Sequence, residues 1–469
     1  MTVKPSAETL NRLAAIVGEK NAIRDTNAMT AYMQEWRQIW YGRSPLVLRP
    51  SSTQEVSDIL KIANETLTAI VPQSGNTGLA GGQIPLETGN EVLLSLDRMT
   101  RIINVDAADN TMTVEAGVIL KSMQDQAAAV DRLFPLSLAS EGSCRIGGNL
   151  STNAGGLNVI AYGNTRDLCL GLEVVLADGR IWNGLKRLRK DNTGYDLRNM
   201  FIGAEGTLGI ITGAVMKLYP RPRSHETAFA AVPDPQAAVA LLSLARELSG
   251  NRVVAFELIA DIAMQFTIRH AGQRNPLGAV SPWYVLVELA DPVAGSLAAV
   301  LERAMELGLV SDAVVAQSGS QRDQFWAIRE MISESQKPEG GSIKHDISVP
   351  VSKVSQFLKE ADAAVTAFMP GTRFVSFGHL GDGNIHYNVS QPIGMDKSVY
   401  LAAWNGMNDV VFDVVMKLGG SISAEHGIGR LKAHHMPHIK SAVELQMMRD
   451  LKRMLDPNGI LSPGRVLPL

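Results

Sequence analysis

Residues 71–82 read VPQSGNTGLAGG, and the run AIVPQ at 69–73 that leads into them has the pattern of a short buried strand. Gly75, Gly78, Gly81 and Gly82 fall within eight positions. Glycine admits positive φ and lets a ligand approach the backbone closely. Successive N–H groups in such a turn form a concavity suited to a pyrophosphate. The spacing is not G-x-G-x-x-G, so a Rossmann unit is not indicated. No Gly-Lys-Ser/Thr follows, so it is not a Walker loop. Taken alone, the stretch reads equally well as a turn with no ligand.

Two more glycine-rich stretches lie in the same half of the chain. EGSCRIGGNLSTNAGGLNVIAYGN (141–164) is dense in small hydroxyl and amide side chains, and FIGAEGTLGIIT (201–212) is the third. Three such stretches in one half argue for one extended cofactor touching all of them. Around them, RPSSTQEVSDILKIANE (49–65) reads as a loop and a helix, with Ser52 and Glu55 at capping-box spacing. EVLLSL and TMTVEAG read as strands. GLEVVLADGRIW (171–182) has the strand, Asp-Gly, strand signature of a hairpin.

The chain has 469 residues, too many for one ordinary core, and Pro220–Pro222 is a candidate boundary. Beyond it, Ala-rich helical segments (234–250 and 291–308) alternate with strand-like runs such as WYVLVELA (283–290). The expected fold is therefore α+β, with a glycine-rich domain at 1–222, a cap domain at 223–420 and a C-terminal segment at 421–469. Net charge is −3 without a long run of one sign, which gives no reason to expect nucleic acid or an anionic membrane as partner. The two cysteines, Cys144 and Cys169, form no C-x-x-C pair. The N-terminus carries Glu8 and Glu19 and reads as an amphipathic helix with Leu10, Leu13, Ile16 and Val17 on one face, not as a signal or transit peptide. No membrane span is expected, and a cytoplasmic location follows as the expectation.

FGHLGDGNIHYNV (377–389) places His379 and His386, two of nine histidines, around a Gly-Asp-Gly turn. If 385–389 is a strand, His386 and Asn388 share a face, and the turn can fold His379 back beside them. Two imidazoles with Asp382 or Glu425 nearby make an ordinary divalent-metal set. The spacing alone does not separate this from two hydrogen-bonded structural histidines. KAHHMPH (432–438) reads as a surface segment. GSQRDQFWAIREMISES (319–335) reads as a helix with Ser320 and Asp323 at capping-box spacing, and with Phe325, Arg329 and Ser333 on one face. A fixed guanidinium beside a hydroxyl suits a carboxylate. Lys344 and Asp346 would share one strand face, where Lys344 either reaches a substrate or pairs with Asp346.

EGSCRIGGNLSTNAGG, LRKDNTGYDLRNMFIGAEGTLGIIT, FWAIRE, FGHLGDGNIH and SAEHGIG together resemble the D-2-hydroxyglutarate dehydrogenases and their D-lactate- and glycolate-oxidising relatives. The glycine-rich half, over about residues 35–220, resembles the FAD-binding domain of the vanillyl-alcohol oxidase/p-cresol methylhydroxylase superfamily. The resemblance implies a two-part FAD domain, a cap domain, and a C-terminal segment returning to the flavin. By it, residues 72–82 cradle the pyrophosphate, with Gln73, Ser74, Gly75, Asn76, Thr77, Gly78 and Leu79 as contacts. The second stretch contributes Gly142, Ser143, Ile146, Gly147, Gly148, Asn149, Thr152, Asn153, Gly155 and Gly156. The third contributes Glu205, Gly206 and Ile211.

The resemblance also implies zinc, or a similar divalent metal, on His379, His386 and Glu425, with Asp382 as a turn former. It makes His426 the catalytic base and Arg329 the clamp for the substrate's C1 carboxylate. Ser333, Lys344 and Asn388 are the further substrate candidates. No histidine precedes His225, so a histidyl link to FAD within that domain is impossible, and non-covalent FAD is expected. Electron-transfer flavoprotein is the acceptor the resemblance implies, and a homodimer is the expected assembly. The expected reaction oxidises D-2-hydroxyglutarate, and also D-malate, to the 2-oxo acid. The alternatives are a D-lactate or glycolate dehydrogenase and, in other classes, a metal-dependent hydrolase or a non-catalytic flavin-binding protein.

Overall fold

The computed structural model describes residues 2–468, which fall into two compact units. The first comprises residues 2–155, 163–221 and 425–468, and the second comprises Gly156–Tyr162 and Pro222–Ala424. The chain re-enters the first unit at Glu425, four residues beyond the expected 421. Residues 156–162, expected inside the glycine-rich domain, group with the second unit.

In the first unit a four-stranded sheet runs in the order Ala22–Ile23, Val47–Leu48, Glu91–Ser95, Ala69–Gln73. The last two strands pair in parallel and are buried. The helix Thr53–Glu65 is capped by Ser52, whose side chain accepts the Glu55 N–H. The return half of the expected box is displaced by one residue, because the Glu55 carboxylate accepts from the Ser51 N–H instead. A five-stranded antiparallel sheet contains the expected hairpin, Cys169–Val175 with Ile181–Gly184. Residues 425–468 complete this unit. Leu461 bridges Ile70 in parallel, and the buried Arg465 guanidinium grips the Glu91 carboxylate.

The second unit is built on one seven-stranded antiparallel sheet, in the order Asp312–Val315, His225–Val232, Trp283–Ala290, Val253–Ala260, Arg373–His379, Asn384–Ser390, Ser342–Ser348. Helices cover both faces, so its central strands are apolar almost throughout instead of alternating with polar residues. The helices Asp261–Ala271 and Gly319–Ser335 pack on one face, over Phe229, Ile259, Tyr284, Leu286 and Phe377. On the other face Tyr387 donates its hydroxyl to Asp362 of the helix Val354–Phe368. Among the described residues no helix is long and apolar enough to cross a membrane.

The helix Gly319–Ser335 starts earlier than Ser320 and Asp323 suggested. Its N-cap is Ser318, which accepts the Gln321 N–H, while the Gln321 side chain accepts the Gln317 N–H. The signal was an S-x-x-Q box two residues upstream. KAHHMPH also departs from the surface reading, because Lys432, Ala433, His435 and Met436 are buried.

Candidate active site

A cleft of about 1160 Å³ opens in the first unit. That lies above the ~300–1,000 Å³ range usual for drug-sized ligands, as a dinucleotide requires. Residues Pro72–Ala80 line one side, immediately after the strand Ala69–Gln73. Asn76 sits at φ 54°, a conformation that asparagine tolerates, and its amide donates to the carbonyls of Ala31 and Gln34. The second stretch contributes Ser143, Gly147, Gly148, Asn149, Thr152 and Gly155, and the third contributes Glu205, Gly206 and Ile211. Gly142, Ile146, Asn153 and Gly156 do not line the cleft. Ile146 is fully buried in the core, and Asn153 caps its helix in the left-handed conformation with its side chain accepting the Arg166 N–H.

One wall escaped the sequence reading. Asn27, Ala31, Gln34, Trp36 and Gln38 flank the cleft. Glu35, which also lines it, is buried and ties this turn, its carboxylate accepting the backbone N–H groups of Arg37 and Ile39. The available signal was the aromatic cluster WRQIWY around a lone glutamate; Trp36 is 61% exposed.

The cleft fits FAD on two counts. A Cβ added at Gly75 would lie 2.6 Å from the Ser143 carbonyl oxygen, so the walls meet there at backbone distance. Asn149 presents a buried side-chain oxygen with no hydrogen-bond partner among the described residues. Both cysteines are buried and unpaired.

Glu425 and His426 also line this cleft. They begin the segment that returns to the first unit, and Glu205 holds that segment in place. Its carboxylate accepts the N–H groups of Ile428 and Gly429 at 2.7 and 2.8 Å. Burial pushes the Glu205 carboxyl up to about 7, against the pull of those two N–H groups.

In the second unit, His379 and His386 lie on neighbouring strands and meet edge to face, with ring centroids 5.4 Å apart. Each has a carboxylate at Nδ1. Glu257 is 2.6 Å from His379, and Asp346 is 3.9 Å from His386. The Glu257 carboxylate accepts from Nδ1 of His379, which makes Nε2 the nitrogen that would serve a metal, the arrangement usual for a metal-ligating histidine. The donor chemistry of this pair therefore fits a divalent metal. Asp382 is the turn former, its side chain accepting the Asn384 N–H.

Glu257 is a functional candidate that the sequence reading missed. It is fully buried in VVAFELIA (253–260), and a single carboxylate in an apolar run was the signal available. Its second oxygen accepts from Arg329 Nε. Burial alone would raise this carboxyl, but His379 and Arg329 outweigh it and bring it down to about 2. Arg329 stacks on Phe377 at 4.7 Å, and its terminal nitrogens have no hydrogen-bond partner among the described residues. Ser333, one turn on, is exposed, whereas Phe325 and Arg329 are buried. Lys344 stands opposite Asn388, and Asp346 opposite His386, in the Ser342–Ser348 and Asn384–Ser390 pair. Asn388 donates its amide to Gln336. Asp346 accepts from the Asn384 amide.

Comparison with known proteins gives this arrangement a family. A model described as FAD binding domain matches residues 44–184, and one described as FAD linked oxidases, C-terminal domain, matches residues 221–466. The probable mitochondrial D-2-hydroxyglutarate dehydrogenase of Oryza sativa subsp. indica is 40% identical over 99% of this chain and 82% of its own length. The mitochondrial D-2-hydroxyglutarate dehydrogenase of Arabidopsis thaliana is 38% identical over 97% and 80%. The D-2-hydroxyglutarate dehydrogenase of Stutzerimonas stutzeri is 35% identical over 97% and 98%. The crystal structure of p-cresol methylhydroxylase with substrate bound superimposes with a TM-score of 0.77, at 18% identity, over 98% of this chain and 96% of that one.

The fold and its cleft are those of an FAD-linked oxidoreductase. Within that class, the chain belongs to the D-2-hydroxyglutarate dehydrogenase family. The expected cytoplasmic location is corrected by these relatives, since the rice and Arabidopsis proteins are named as mitochondrial.

Proposed function

We propose that this protein oxidises D-2-hydroxyglutarate to 2-oxoglutarate, with D-malate as a second, shorter substrate. The observation that carries the reading is that His426 lines the same cleft as the glycine walls suited to FAD. A dissociable FAD supplies the hydride acceptor and a divalent metal, zinc foremost, supplies a Lewis acid at the hydroxyl. The residues Gln73–Leu79, Ser143, Gly147–Asn149, Thr152, Gly155, Glu205, Gly206 and Ile211 would hold the cofactor. His379, His386 and Glu425 would hold the metal.

Arg329 has its Nε committed to Glu257, and its two terminal nitrogens serve the C1 carboxylate as a fork. His426 takes the C2 hydroxyl proton as the general base. Lys344 and Ser333 serve the distal carboxylate, and Asn388 is a further substrate contact. Electron-transfer flavoprotein as the acceptor and a homodimer as the assembly rest on resemblance alone.

The test is a panel of D-2-hydroxyglutarate, D-malate, D-lactate and glycolate, scored by anaerobic bleaching of the flavin. D-2-hydroxyglutarate should reduce it fastest. A preference for D-lactate over both dicarboxylates would overturn the reading in favour of a D-lactate dehydrogenase. Colourless pure protein would remove flavin chemistry altogether.

A further inference from the structure

We propose that Glu257 is the positioning residue that sets the substrate clamp and the metal ligand together. It does so by holding Arg329 with one carboxylate oxygen and His379 with the other. The inference rests on the roles proposed above for Arg329 and His379.

The sheet register places Glu257 directly opposite His379 on the neighbouring strand, and Arg329 reaches it from the helix Gly319–Ser335 packed on that face. A buried carboxylate needs compensation of its charge. Here Arg329 supplies the charge and His379 a second hydrogen bond, and each is held through a nitrogen that its proposed task does not use. Arg329 spends Nε and keeps the terminal pair. His379 is held through Nδ1, so that Nε2 is the nitrogen proposed for the metal.

Docking of the helix does not by itself account for Glu257, because a second buried carboxylate already does that work. Glu288, on the adjacent strand, accepts from Arg322 Nε at 2.7 Å, Arg322 Nη2 at 2.8 Å and Trp326 Nε1 at 3.0 Å, all on the same helix. Its other neighbours include Thr227, whose hydroxyl donates to it at 2.8 Å, and His225, 3.3 Å away. The two glutamates thus share a helix, a sheet face and a degree of burial. They differ in that only Glu257 touches candidate site residues.

One side chain joining the two groups also links two affinities. Loss of the Glu257 charge should loosen metal binding and carboxylate binding in the same variant, as removing an outer-shell partner of a ligating histidine typically lowers metal affinity by about 10–100-fold.

The experiment compares E257Q, E288Q and H379A in the full FAD-loaded protein. Zinc affinity is read by competition with a coloured chelator, KM and kcat with D-2-hydroxyglutarate, and FAD content by absorbance. E257Q should weaken zinc binding about 10–100-fold and raise KM with FAD content unchanged, while E288Q leaves zinc affinity at the wild-type value. Equal zinc affinities in E257Q and wild type, or equal losses in E257Q and E288Q, overturn the proposal. Wild-type zinc affinity in H379A would instead sink the metal reading itself. Should E257Q not accumulate as folded protein, E257Q/R329M removes the stranded charge together with its partner and keeps the zinc readout.

Discussion

Glu205 accepts the backbone N–H of Gly429 at 2.8 Å while standing at φ 52°, a left-handed conformation uncommon for a residue with a side chain. With Ile428 held by the other oxygen, the turn that carries His426 is pinned two and three residues downstream of the histidine. This glutamate, expected as a cofactor contact, therefore also shapes the returning segment.

Its titration gives the first prediction. The Glu205 carboxyl is raised from 4.5 to about 7 in the folded chain, chiefly by burial. Between those values the folded state keeps a proton that the unfolded state has released. The stabilisation from this group is complete below about pH 4.5 and is lost as the pH rises through about 7. Denaturant titrations of the apoprotein across that window should show stability falling with pH. E205Q, which does not titrate, should flatten the curve. An unchanged slope in E205Q would assign the effect elsewhere.

The close approach at Gly75 gives a second. G75A places a methyl 2.6 Å from the Ser143 carbonyl oxygen. The purified variant should keep its circular dichroism and lose most of its flavin absorbance. Full flavin content would show that the cofactor does not need this contact.

Metal removal gives a third. Stripping with a chelator should abolish turnover while FAD stays bound, and zinc or a similar ion should restore it. Full turnover in rigorously metal-free protein would sink the assignment of His379, His386 and Glu425.

For His426, alanine substitution should slow flavin reduction by roughly 10²–10⁴ with FAD content near normal. If FAD loss accounts for the whole defect, His426 is a flavin contact and the base lies elsewhere.

Substrate length is tested at Lys344. A hydrogen bond to a charged group contributes roughly 1.5–3 kcal/mol, so K344M should depress kcat/KM for D-2-hydroxyglutarate about ten- to a hundredfold. D-lactate, with no distal carboxylate, should change much less. Equal losses on both substrates would make Lys344 a structural residue of its strand.

The residues that were legible in advance are those whose signal is local. AIVPQ forms a strand at Ala69–Gln73, and Asp-Gly makes the hairpin at 176–180, because strand and turn preferences act over a few positions. His386 and Asn388 share a face for the same reason. Glu257 was visible as an anomaly in an apolar run, but its partners stand 72 and 122 residues away, and no local pattern names them. The wall at Asn27–Gln38 carries no glycine signature and was invisible to a search for one. The cap was expected at Ser320 because the boxes Ser318–Gln321 and Ser320–Asp323 overlap, and in the structure it is Ser318 that accepts the Gln321 N–H.

The strand Ala69–Gln73, which leads into the glycine loop, is bridged by Leu461, and Arg465 grips Glu91 on the neighbouring strand. A ribosome releases residue 70 long before residue 461. The cofactor-binding unit therefore remains unfinished for most of synthesis, while residues 222–424 of the other unit emerge as a single stretch. The second unit is then expected to close first, the reverse of the usual N-terminus-first order. FAD is expected to bind only after residues 461–465 have joined their strands.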